Sequence, residues 1–213
     1  MLINLRNALM AGKRLPYDAE LEYLESTGTQ YIDTGIVGNE RLIIDSVWSY
    51  GASDASAQPF GSRMSAASRA ISVTGWGYAI DYRLYLNYGN KSDYIKYTSG
   101  DLYGHIWEIH IENGNSRLIR DGLVVSTGSA STSAFTTPSS LILFGGYDNG
   151  SIERSKNTRI YSWSVREGNV LVRDYIPVRK GTVGYLYDRV SGQLFGNAGT
   201  GDFVIGPDIP SPV

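Results

Sequence analysis

The sequence predicts an all-β protein, a sandwich or barrel of antiparallel strands, on three observations. Over YAIDYRLYLNY (78–88), Tyr78, Ile80, Tyr82, Leu84, Leu86 and Tyr88 alternate with Asp81, Arg83 and Asn87, the period of two of a strand with one apolar face. Asn113-Gly114 and Asp121-Gly122 are hairpin-turn dipeptides. From Leu21 onward, short alternating segments separated by turn residues recur at roughly 8–12-residue spacing, with no strong amphipathic helix among them. The 16 Tyr and 25 Gly point the same way, because aromatics suit a pleated half-buried surface and glycine suits tight turns.

Taken along the chain, Leu2, Leu5, Leu9 and Met10 fall on one side of a short helix that Gly12 would stop. Asn4, Arg6 and Asn7 interrupt the apolar run a signal peptide would need. Residues 1–19 therefore read as a helical or extended leader, a candidate attachment segment to other proteins or to a second copy. RLIIDSVWSY (41–50) reads as a strand. HIWEIHIENGNSRLIRDGLVVSTG reads as three consecutive strands, about 105–112, 116–120 and 123–127, joined at the two Gly dipeptides.

The Ser/Thr-rich stretch 129–140 reads as a connection into LILFGGY (141–147), whose unbroken apolar run suggests a strand buried on both faces. A loop (148–157) precedes strands at 158–165 and 170–178, and Pro177 is expected to end the second or to put it at an edge. GYLYDRVSGQLFGN (184–197) reads as a hairpin, and residues 207–213 as an extended Pro-rich tail.

Composition removes several function classes. With net charge −2 and no basic run longer than Lys13-Arg14, nothing is arranged to neutralise phosphates, so no nucleic-acid partner is expected. The absence of Cys removes disulfides, thiolate zinc sites and cysteine nucleophiles together. No apolar run is long enough for a membrane-spanning helix, and no membrane partner is expected. GNKS (89–92) lacks the upstream Gly of a phosphate loop, GWGYAI (75–80) lacks the third Gly of a dinucleotide fingerprint, and no G-x-S-x-G elbow occurs.

Two segments go beyond a generic β pattern. EYLESTGTQYIDTGI (22–36) and VRDYIPVRKGTVGYLYDRVSGQLFGNAGTGDF (172–203) resemble the two ends of a laminin-G-like, concanavalin-A-like module found in phage and gut-bacterial surface proteins. Trp107 with Asp121-Gly122, and LILFGG with TRIYSWSV, resemble its middle more loosely, so the resemblance spans about residues 20–206. It implies a jelly-roll β-sandwich of two antiparallel sheets whose first and last strands lie side by side. It also implies a virion or extracellular location, and a non-catalytic role more often than an enzymatic one.

The residues must then choose among functions. Glu108-Ile-His110-Ile-Glu112 resembles the Glu-x-Asp-x-Glu strand of glucanases on this fold, with His in place of the central Asp. The chemistry needs one carboxylate as nucleophile and one as acid, about 5–5.5 Å apart for retention. Residues i and i+4 of a straight strand lie about 13–14 Å apart, so the side chains would have to lean together or the strand to bulge. A cationic His110 would favour ionised glutamates, which cannot protonate a leaving group. The competing reading is simpler: Trp107, Ile109 and Ile111 form a core face, and Glu108, His110 and Glu112 point to water.

Sugar binding needs flat rings with amides or charges beside them. Trp76, Asp81, Arg83, Tyr85, Tyr147 and Asn149 supply these types, with Trp76 between two glycines suggesting a loop. Asp148, Asn149 and Glu153 could ligate the calcium common in laminin-G relatives, although they lack the alternation of an EF-hand loop. No other cofactor is expected. The function expected is a non-catalytic virion or surface module, a phage head or tail decoration or an adhesin, that binds a cell-surface or capsular glycan. A β-glucanase using Glu108 and Glu112, and a capsid or fibre protein with no glycan ligand, are the alternatives.

Overall fold

The computed structural model describes residues 15–51, 56–78, 81–98, 100–154 and 156–210. Residues 2–12, where the leader helix is expected, lie outside the described residues. In chain order the strands are β1 (Ala19–Glu20), β2 (Leu24–Thr27), β3 (Ile32–Asn39), β4 (Leu42–Tyr50), β5 (Ser56–Arg63), β6 (Ala70–Tyr78), β7 (Asp81–Gly89), β8 (Lys91–Tyr97), β9 (Ile106–Ile111) and β10 (Ser116–Arg120). There follow β11 (Leu123–Gly128), β12 (Thr136–Leu143), β13 (Gly145–Asp148), β14 (Ser151–Arg154), β15 (Lys156–Glu167), β16 (Val170–Lys180), β17 (Val183–Asp188), β18 (Gln193–Phe195) and β19 (Val204–Ile205). Among the described residues there is no α-helix, and none long and apolar enough to cross a membrane.

The strands form two sheets. One runs β11-β10-β9-β4-β15-β16-β17-β18, with β2 also against β15, β19 against β2, and β1 against β16. The other runs β14-β13-β5-β6-β7-β8, with β12 between β3 and β5. Alternation decides which face each strand buries. In β4, Leu42, Ile44, Trp48 and Tyr50 point inward; in β9, Trp107, Ile109 and Ile111 do; in β15, Trp163 and Val165 do. Across the sheets Phe60 meets Trp163 edge-on at 6.2 Å, and Tyr97 meets Trp107 at 5.1 Å. Three of the four tryptophans are fully buried in this core. The first and last parts of the sandwich lie side by side, as expected: β2 pairs with β19 through Leu24–Ile205 and Glu25–Val204.

Several expectations need correction. The alternation read over 78–88 belongs to two strands: Tyr78 ends β6 and pairs with Asp81 at the start of β7. Trp76 lies in β6, paired with Arg83, and not on a loop. The run 141–147 is broken at Phe144, buried with φ 59°. There the chain turns from antiparallel pairing with β5 (β12) to parallel pairing with it (β13). Gly146 leaves room for the Gln58 side chain, because a Cβ there would stand 2.1 Å from Gln58 Nε2. The stretch expected as a loop over 148–157 contains β14, and the connection 129–140 already enters β12 at Thr136.

Pro177 neither ends β16 nor marks an edge: it pairs with Leu186 of β17, and on its other side its carbonyl accepts the Leu21 N–H at 2.9 Å. In an antiparallel strand a residue's N and O face the same neighbour, so the missing N–H of Pro177 is turned toward Leu21 and costs β17 no hydrogen bond. The described end of the leader is docked: Tyr17 packs on Tyr187 at 4.9 Å. Asp208, in the Pro-rich tail, takes a two-point salt bridge from Arg179 at 2.8 and 2.6 Å.

Candidate ligand-binding groove

The outer face of the larger sheet carries a polar row that register assembles from five strands. Arg117 of β10 stands opposite His110 of β9, His110 opposite Asp45 of β4, Asp45 opposite Ser164 of β15, and Ser164 opposite Asp174 of β16. Each of these positions alternates with a core residue, which is why the row faces out. The neighbouring row runs Ile119, Glu108, Val47 and Ser162. Together with Arg166, Leu171 and Arg189 these residues line a groove of about 530 Å³.

Most charges in the groove are matched. Asp45 Oδ1 lies 2.8 Å from His110 Nδ1, and Asp45 Oδ2 accepts from Arg166 at 3.2 Å. Asp174 receives both arms of Arg189 at 2.9 Å. Glu108 differs: half-buried, its carboxylate makes no hydrogen bond or ion pair among the described residues. Arg117, across the strand pair, likewise has no hydrogen-bond or salt-bridge partner among them.

β9 carries no bulge that would bring Glu108 and Glu112 together. The β9–β4 register is unbroken from Ile106 to Ile111, so nothing shortens the spacing of a straight strand. Glu112 lies just past the strand end, where its carboxylate accepts from Asn115 at 2.8 Å and approaches His110 Nε2 at 3.5 Å. Those two contacts, Asn115 first, hold the Glu112 carboxyl below its ordinary 4.5, the reverse of what a general acid requires. His110 turns sideways to Asp45 instead of standing between the glutamates.

Of the residues expected to bind sugar, Trp76, Arg83 and Tyr85 share the outer face of the smaller sheet. Trp76 is 45% exposed beside Arg83, and Tyr85 lies one pair further along, opposite Thr74. Arg63 holds the 147–149 turn: it donates to Asp148 at 2.5 Å, and its carbonyl accepts the Asn149 N–H at 3.1 Å. Tyr147 pairs with Ser62 in the parallel β13–β5 ladder. Only the backbone of Asp81 is described.

For calcium the donor set is poor. Asp148 is taken by Arg63, and Glu153 accepts from Ser151 at 3.2 Å. Among the described residues no three His, Cys, Asp or Glu side chains are placed to hold a metal ion.

Sequence reasoning missed Asp45, Arg117, Arg166, Arg189 and Arg63, because each reaches its site across a sheet and not along the chain. It also missed an aromatic pair beyond the groove. The Tyr161 hydroxyl lies 3.1 Å from Ser49, on the outward side of Trp48, and its ring meets Tyr23 edge-on at 5.6 Å. Arg159, bonded to Glu25 at 2.6 Å, lies over the Tyr23 ring at 4.7 Å.

No protein-family model matches the chain, and no curated protein is similar to it. Among solved structures, a candidate carbohydrate-binding protein from Bacteroides ovatus superposes with a TM-score of 0.56 at 10% identity, over 91% of this chain. The fold is a concanavalin A-like jelly roll. The chain spans 62% of that protein's length. Domains LG4-5 of the mouse laminin α1 chain superpose at a TM-score of 0.45 and 12% identity, over 77% of this chain and 47% of theirs. A heptameric SAP-like pentraxin from Limulus polyphemus superposes at 0.42 and 10% identity, over 92% of each chain.

Proposed function

We propose that this jelly roll is a non-catalytic carbohydrate-binding module that works on a virion or cell surface. The observation that carries the reading is the groove on the larger sheet. It joins hydrogen-bonding groups to apolar walls, as a sugar site requires, and the groove carboxylates other than Glu108 are taken by histidine and arginine partners. The likeness to a candidate carbohydrate-binding protein over nearly the whole chain supports the same reading. The virion or adhesin role rests on the sequence resemblance at the two ends of the module, and attachment is assigned to the leader.

A glycan array on the full chain, with and without calcium and with recovered sugars checked by mass spectrometry, tests this. Binding of intact sugars that does not depend on calcium is expected. Release of shortened sugars, lost in Glu108→Gln, would establish a hydrolase. Silence on every glycan would leave a structural decoration.

A further inference from the structure

Resting on the carbohydrate-binding reading, we infer that the groove takes a neutral, hydroxyl-rich sugar ring. Glu108 serves as the acceptor for a pair of adjacent hydroxyls, and Arg117 as the donor beside it. The first ground is satisfaction. Asp45 is held by His110 and Arg166, and Asp174 by both arms of Arg189. Glu108 alone among the groove carboxylates has no partner among the described residues. An ionised carboxylate has two oxygens and accepts only, so what it lacks is a ligand offering two donors side by side. Adjacent sugar hydroxyls offer that.

The second ground is the setting of that carboxylate. Its cross-strand neighbours are Val47 on one side and Ile119 on the other. The acceptor therefore rises between two branched apolar side chains, which can meet the C–H faces of a ring while the hydroxyls are held. Arg117 stands one register step away, opposite His110, with its donors unused among the described residues.

The third ground is charge. Three carboxylates, Asp45, Glu108 and Asp174, face three guanidinium groups, Arg117, Arg166 and Arg189. Such a groove carries no net formal charge from these six groups to favour a uronate, a sulfated sugar or an amino sugar. Selection then falls to hydrogen-bond geometry, which is the means of recognising a neutral sugar. The Asp45–His110 contact acts as a positioning element that fixes the floor of the row and leaves Glu108 free for ligand.

The test is titration calorimetry on the full chain with neutral tetrasaccharides (gluco-, manno- and galacto-configured). Oligogalacturonate and chitosan oligosaccharide serve as the anionic and cationic probes. The wild type is expected to bind at least one neutral sugar in preference to both charged probes. Glu108→Gln, nearly isosteric, is expected to weaken that binding roughly ten- to a hundredfold, the scale of hydrogen bonds to a charged group. Arg117→Ala should weaken it less. Unchanged thermal unfolding of Glu108→Gln would show that the loss is not one of folding.

Neutral-sugar binding that survives Glu108→Gln but is lost in Trp76→Ala would overturn the inference. It would keep the carbohydrate-binding reading and move the site to the smaller sheet. Preference for either charged probe would overturn the neutral-sugar assignment. Failure of all probes to bind would overturn the neutral-sugar assignment, while the glycan array decides the carbohydrate-binding reading.

Discussion

His110 Nδ1 lies 2.8 Å from Asp45 Oδ1, on the adjacent strand and 65 residues away in sequence. In the linear sequence the histidine stands between two glutamates; in the sheet its closer carboxylate partner belongs to β4. The contact joins a row of charges and turns a motif that resembles a catalytic strand into one wall of a groove. Asp45→Asn keeps the shape but weakens the contacts to His110 and Arg166. Because the pair is partly exposed, a loss of about 1 kcal/mol is expected in urea unfolding. Sugar affinity should fall only a few-fold, since Glu108 stays in place.

The tryptophans separate core from surface. Trp163 is fully buried, meets Phe60 across the sheets and stacks on Tyr175 at 5.7 Å. Trp163→Ala should cost about 3–5 kcal/mol. Trp76→Ala, at a position 45% exposed, should stay within about 0.5 kcal/mol of wild type. Equal losses in chemical denaturation would show that the sheet assignment is wrong.

Acid should destabilise the domain through identifiable carboxylates. Glu112 is lowered by Asn115 and His110, Asp121 by the Ile106 N–H and then by His105, and Asp208 by Arg179. A folded-state pKa below the unfolded value means that the unfolded chain binds more protons in the window between them, so stability rises with pH there. This contribution is fully present above the ordinary values of 4.5 for Glu and 3.8 for Asp. It is lost as pH falls through the lowered ones. Thermal midpoints should therefore be level in this respect above about pH 5 and fall below about pH 4. Glu112→Gln combined with Asp121→Asn should flatten that fall.

Tyr161 adjoins the groove residue Ser162 in the chain, on the side toward Tyr23. If a longer glycan leaves the groove at that end, its next ring meets the tyrosine pair. Tyr161→Ala should then leave disaccharide binding unchanged and remove most of the gain from tetrasaccharides, about 0.5–1.5 kcal/mol for an aromatic contact. Calorimetry over a chain-length series reads this directly.

The fold was legible because its signals are local. The Asp121-Gly122 turn adopts positive φ at both residues, 50° and 79°, as the dipeptide foretells. The strands read around it, 105–112, 116–120 and 123–127, lie within a residue or two of β9, β10 and β11. Phe144 was not legible, because a buried aromatic at φ 59° is imposed by the reversal beside β5 and leaves no local trace in LILFGGY. The site was half legible. Alternation put Glu108 and His110 on the outer face, yet Asp45, Arg117, Arg166 and Arg189 join them only through register, which no single segment encodes. Arg63 is the same case on the other sheet, paired with Asp148 85 residues away.

The most direct test is to titrate the full chain with neutral tetrasaccharides and then recover each sugar for mass spectrometry. The expected result is saturable binding to at least one sugar, recovered at its original length after prolonged incubation. Shortened products would contradict a non-catalytic carbohydrate-binding module, and no binding to any of them would contradict the neutral-sugar groove.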